Sequence, residues 1–201
     1  MLCTLKHFPG HGDTGEDSHS ETATTNQTWE EMQAAALLPF EAGIAAGADV
    51  VMAAHITTPN ATKDGLPASL SYTMLTERLR GELGFTGVIC TDALEMKAIS
   101  SHYAPADAAV AALNAGADIL LMPADLCAAF EGVVQAVETG AVAEERLNES
   151  VRRILTLKEK AGLPLGAAAA PAEEPLAPEA AKEAVPEKPS DCFGWLRAFW
   201  S

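Results

Sequence analysis

Three stretches of the chain share one layout: a helical run of small and apolar residues, a glycine, then a short unbroken apolar run. Ala45-Ala46-Gly47-Ala48-Asp49-Val50-Val51-Met52 recurs loosely as Asn114-Ala115-Gly116-Ala117-Asp118-Ile119-Leu120-Leu121-Met122, and Leu83-Gly84-Phe85-Thr86-Gly87-Val88-Ile89-Cys90 repeats the logic. Each predicts a helix end, a glycine in the left-handed cap and a buried strand. The helices that lead into them are predicted over residues 28–46, about 71–83 and about 106–115. The first opens on a Thr28-x-x-Glu31 capping box, and Pro39 should break or kink it. A strand over residues 2–7 opens the chain, and helices near 126–138 and 144–161 close its regular part.

The predicted order is therefore β-α-β-α-β-α-β-α-α. Short, uniformly apolar strands alternating with helices mean a parallel sheet covered by helices. Four βα units are half of a (β/α)₈ TIM barrel, which normally needs about 250 residues. The patterned body, residues 1–162, is shorter than that. It fits either a small open α/β sheet or part of a barrel.

Composition changes near Leu163. Between Pro164 and Pro189 lie six of the twelve prolines, with nine alanines and five glutamates. Proline at that density forbids a regular helix, and nothing there is large enough to build a core, so residues 163–191 read as a linker. Residues 192–201 form an aromatic tail holding two of the three tryptophans. Such a tail folds back, frays, or docks on a partner or membrane interface.

Charge narrows the function classes. Thirteen Lys and Arg face 28 Asp and Glu, for a formal charge of −15. A nucleic-acid binder needs a basic face to displace counterions, so that class is set aside. Cys3, Cys90, Cys127 and Cys192 form no CxxC pair and suggest buried thiols in a reducing compartment. The first residues show no charged leader before a long apolar run, and no segment approaches the ~20 apolar residues of a membrane span. The expectation is a soluble, cytoplasmic protein.

In parallel α/β folds, ligands meet the carboxyl ends of the strands. The first strand runs into Lys6-His7-Phe8-Pro9-Gly10-His11-Gly12-Asp13-Thr14-Gly15-Glu16-Asp17-Ser18-His19, the second ends at Ala53-Ala54-His55, and the third at Thr91-Asp92-Ala93-Leu94-Glu95-Met96. The first loop is rich enough in histidine and carboxylate to suggest a metal. Zinc, however, needs ligands converging within about 2 Å of one point, and Pro9, Gly10 and Gly12 make a turn in which His7 and His11 need not face one way. No metal and no cofactor is expected. His55 is read two ways, as a strand-end histidine satisfied by the protein or as a sugar contact.

Lys6-His7-Phe8-Pro9-Gly10-His11-Gly12 followed by Asp17-Ser18-His19 resembles the signature of family 3 glycoside hydrolases of the β-N-acetylglucosaminidase type. Thr91-Asp92-Ala93-Leu94-Glu95-Met96 resembles that family's nucleophile strand, in the family's order and at about its spacing. The similarity spans roughly residues 4–162. It implies a TIM barrel entered at its fifth strand, so a partial (β/α)₈ domain over residues 1–162. It also implies a carbohydrate substrate: terminal β-linked N-acetylglucosamine, as in peptidoglycan fragments.

By the same resemblance, Asp92 would be the nucleophile and His19 the general acid/base, an unusual choice where most glycosidases use a second carboxylate. Asp17 would pair with His19 and set its tautomer. Lys6 and His7 would hydrogen-bond the sugar hydroxyls, with His55 as a third sugar-binding candidate. The family's earlier strands, which supply an Asp and Arg residues gripping the sugar, have no counterpart in this sequence. Three readings follow: a truncated or split hydrolase, a phosphorylase of the same family, and a non-catalytic partner or remnant. The first carries a corollary, that the two open sheet edges would pair with a complementary half-barrel or with a second copy.

Overall fold

A computed structural model describes residues 1–11 and 23–164. Asp17, His19, the linker beyond Pro164 and the aromatic tail lie outside the described residues. Strand β1 (Thr4–Phe8), β3 (Val50–Ala53) and β5 (Val88–Thr91) form a parallel sheet in the order β1-β3-β5. Beyond β5, Ile119 bridges Cys90 in parallel, which places a fourth strand next in line. Each new strand joins on the same side of the last. A doubly wound open sheet would reverse its order partway. The sequential order is that of a barrel arc, so the α/β, partial-barrel expectation holds.

A second, two-stranded parallel sheet, β2 (Ala23–Thr24) with β4 (Ile56–Thr57), was not foreseen. Two-residue strands are too short to show a period. The predicted strand over 119–122 shrinks to its single bridge, because Leu121 and Met122 bond the loop after β5 instead of continuing the ladder. Strand β1 is an edge with Thr4 and Lys6 exposed and only Phe8 buried, whereas β5 is buried throughout.

The first predicted helix is two. Helix α1 (Trp29–Ala34) starts on the Thr28 box: the Glu31 amide donates to the Thr28 hydroxyl, and the Thr28 amide donates to the Glu31 carboxylate. It ends at Ala35, and α2 (Leu38–Ala45) restarts with Pro39 in its first turn, where a missing amide costs nothing. The segment Thr73–Glu82 is helical as expected but wound as a π-helix, closing with the Leu83 amide on the Arg78 carbonyl, five residues back. A 3₁₀ turn (Ala68–Leu70) precedes it. Helices α3 (Lys97–Ser100), α4 (Pro105–Ala115), α5 (Leu126–Glu138) and α6 (Glu144–Lys160) complete the order. No helix among the described residues is long and apolar enough to cross a membrane.

The main core, which holds Val51, Met74, Leu79 and Ile89, includes Phe8 and Phe40 meeting edge to face. The repeated Ala-Gly-Ala-Asp motif explains how the amino end of the sheet is tied. Asp49 accepts the Cys3 amide and the Lys160 ammonium. Its carboxyl is held below the usual range by Lys160 first and by the Cys3 amide second. In the second copy, Asp118, its side chain fully buried, accepts the Ile89 amide at 2.9 Å, Arg80 at 2.6 Å, Ser150 at 2.7 Å and Arg153 at 3.1 Å. Each aspartate thus receives one amide near the start of a neighbouring strand and a cation from α6.

One thiol departs from the expectation of burial: Cys90 is buried, whereas Cys3 is exposed.

Candidate functional site

At the carboxyl end of the sheet, the loop after β5 carries Asp92. Its backbone is fixed on both flanks. Toward β3, the Asp92 amide donates to the Ala53 carbonyl at 2.8 Å. Toward the fourth strand, the Thr91 amide reaches Ile119, Leu94 reaches Leu121 at 2.8 Å and Glu95 reaches Met122 at 2.9 Å. The Thr91 hydroxyl accepts the Leu121 amide at 3.0 Å. Met122 has a φ of 44°, rare for a residue with a side chain, and its carbonyl is the one that takes Glu95. Ala93 donates its amide to Asp92 Oδ1 at 2.8 Å. Asp92 Oδ2 faces His7 Nε2 at 4.0 Å, and both side chains are partly open to solvent.

His7 reaches this point from the end of β1, where the Lys6–His7 and Phe8–Pro9 peptides are cis and Gly10 turns back onto the His7 carbonyl. Lys6, His7 and His11 line a cavity of about 510 Å³, with Thr25 and Gln27 beside them and Leu5, Ala36, Pro39 and Phe40 as an apolar wall. The His7 and His11 rings meet edge to face at 6.1 Å. Among the described residues, no group of three His, Cys, Asp or Glu is placed to hold a metal ion. His7 and Asp92 therefore meet at the carboxyl end of the sheet, and Lys6 precedes His7 on β1 and lines the cavity with it.

His55 is placed differently from a sugar ligand. It is 1% exposed, its Nδ1 lies 2.7 Å from the Ser69 hydroxyl and its Nε2 2.9 Å from the Ala93 carbonyl. Both ring nitrogens belong to the protein, and none remains for a hydroxyl of substrate. Of the two readings, the satisfied strand-end histidine is the one this geometry carries. A carbonyl only accepts, so Nε2 bears the proton and Nδ1 accepts from Ser69. Burial pushes the imidazole below its ordinary pKa, opposed by the Ala93 bond and the Asp92 charge. Burial likewise pushes the Cys90 thiol up to about 11, with the Asp92 charge adding to it.

Sequence reasoning passed over Ser69 and Ala93. Ser69 stands fourteen positions after His55 in a turn with no motif of its own, and Ala93 acts through a backbone carbonyl that any residue would carry.

Residues 1–157 match the model of the glycosyl hydrolase family 3 N-terminal domain. Beta-hexosaminidase A of Pseudoalteromonas piscicida is 39% identical in an alignment 180 positions long that covers 80% of this chain and 30% of that protein. A family 3 β-N-acetylglucosaminidase from Paenibacillus sp. str. FPU-7 superposes with a TM-score of 0.79 at 44% identity, over 86% of this chain and 33% of that one. A beta-glucoside phosphorylase, BglX, superposes with a TM-score of 0.74 at 32% identity, over 79% of this chain and 30% of that one. The chain thus spans about a third of the length of these relatives. With the motif blocks, the sequential parallel strands and a family match over most of its length, the chain belongs to the glycosyl hydrolase family 3 N-terminal domain family.

Proposed function

We propose that the chain carries the catalytic residues of a retaining hydrolase of terminal β-linked N-acetylglucosamine. Asp92 Oδ2 attacks the anomeric carbon as the bond to the leaving oxygen breaks, and His19 gives that oxygen its proton. Water, deprotonated by His19, then displaces Asp92 and releases the sugar. Asp17 orients His19, and Lys6 and His7 bond the sugar hydroxyls. The observation that supports this best is the state of Asp92: one oxygen is tied to the Ala93 amide and the other faces the His7 ring and is partly open to solvent. The activity is proposed of a barrel completed by further βα units, on the same polypeptide or on a complementary one that pairs with the edge at β1.

A fluorinated N-acetylglucosamine analogue should label Asp92, and the labelled peptide can be read by mass spectrometry. Label recovered on Glu95 would sink the assignment. The likeness to a phosphorylase favours a second reading, in which phosphate takes the place of water. A neutral histidine does not repel phosphate as a carboxylate would. Turnover that needs phosphate, with a sugar 1-phosphate as product, would select it.

A further inference from the structure

We propose that His55 and Ser69 are a positioning pair for the nucleophile loop, holding Ala93 so that its amide stays on Asp92 Oδ1 and Oδ2 is left as the reacting oxygen. This rests on the reading of Asp92 as nucleophile. The last backbone rung between β3 and β5 is the Asp92 amide on the Ala53 carbonyl. One residue later the two chains part, and the His55 ring supplies the next rung by donating from Nε2 to the Ala93 carbonyl at 2.9 Å. On the opposite flank the loop is held by backbone bonds to Leu121 and Met122. His55 is thus the side-chain substitute for a missing strand on the β3 side.

Ser69 completes the substitute by satisfying the other ring nitrogen. An imidazole with its proton on Nδ1 would turn a lone pair toward the Ala93 carbonyl, which has no hydrogen to give. The Ala93 carbonyl can only accept and so fixes the proton on Nε2, and the Ser69 hydroxyl at 2.7 Å supplies the donor that the bare Nδ1 then needs. Ser69 is itself fixed, its amide donating to the Ala54 carbonyl at 3.1 Å. Ala93 is then held through both of its polar groups, the carbonyl by His55 and the amide by Asp92 Oδ1. Loss of the ring donor would leave the Ala93 carbonyl without that bond and let the residue turn, and both carboxylate oxygens would become equivalent. A residue that only filled the core could be replaced by any side chain of like volume. A donor at the Nε2 position can be replaced by glutamine, whose amide nitrogen lies at that distance, and not by asparagine.

The test uses the full chain, isotopically labelled, and reads amide hydrogen exchange at Ala93 with Val51 and Ile89 as strand references. In the parent protein a nitrogen–proton correlation should find the His55 ring proton on Nε2. In His55→Phe, exchange at Ala93 should accelerate about tenfold or more, as expected for losing a hydrogen bond, while Val51 and Ile89 hold. His55→Gln should restore most of the protection, and His55→Asn should not. Ser69→Ala, which keeps the packing, should give an intermediate acceleration, and it decides the matter together with the ring proton if His55→Phe fails to fold. A ring proton on Nδ1, an unchanged Ala93 amide, or equal acceleration at all three amides would overturn the proposal. Labelling of another carboxylate by the fluorinated sugar would remove Asp92 as nucleophile, and with it the role of Oδ2. The exchange results would still say whether His55 holds the loop.

Discussion

Asp92 and Asn differ by one atom's chemistry, so Asp92→Asn should abolish turnover and leave the melting temperature nearly unchanged. His19→Ala tests the other half of the chemistry. It should slow substrates with poor leaving groups by about 10²–10⁴-fold and activated aryl glycosides far less, because only the former need a proton in departure. Equal losses on both, measured as kcat/KM, would give His19 another task. His55 carries a prediction about stability. Burial lowers its pKa in the folded protein, so below about pH 6.5 the unfolded chain takes up a proton that the folded one refuses. Stability should be level above that pH and decline as the pH falls toward the folded pKa. His55→Gln, which does not titrate, should flatten that part of the curve in urea unfolding at pH 7.5 and 5.5.

At the scale of elements, the sequence was most legible where local chemistry decides the outcome. The Thr28 box, the glycines at positions 47, 84 and 116 with φ of 86°, 70° and 121°, and the span of α5 needed only near neighbours. Pro39 marked a break, but the chain leaves the helix at Ala35 and uses the proline to begin α2. The π winding of Thr73–Glu82 was not legible, since its apolar positions are compatible with an ordinary helix of the same length. Thr76, on that helix, donates to the Ala115 carbonyl at 2.8 Å, and Gly116 is packed so closely that a Cβ there would lie 2.5 Å from the Thr76 hydroxyl. Such contacts come from elements about forty residues apart. The aspartates of the repeat were visible as letters and invisible as a device, because their partners come from α6, far along the chain. Asp118→Ala should cost about 3–5 kcal/mol by leaving the Arg80, Arg146 and Arg153 guanidiniums around a vacant centre. Arg153→Ala, on a partly exposed side chain, should cost under about 1 kcal/mol. Denaturant midpoints would rank the two, and a reversed order would place the load on the arginine.

For the whole molecule, the two ends of the sheet differ: Asp92 faces His7 at the carboxyl ends, and Asp49 and Asp118 are tied to α6 at the amino ends. The sealing of Asp118 away from water has a consequence for ionic strength. Counterions screen exposed charges over a Debye length of about 10 Å at 0.1 M salt and hardly reach a buried pair. The chain as a whole bears a formal charge of −15, whose self-repulsion lies mostly at the surface. Added sodium chloride should therefore relieve the repulsion and leave the Asp118 cluster untouched, so the melting temperature should climb with salt between about 0.02 and 0.5 M. A fall over that range would mean that brine dissolves the very bonds the burial of Asp118 protects.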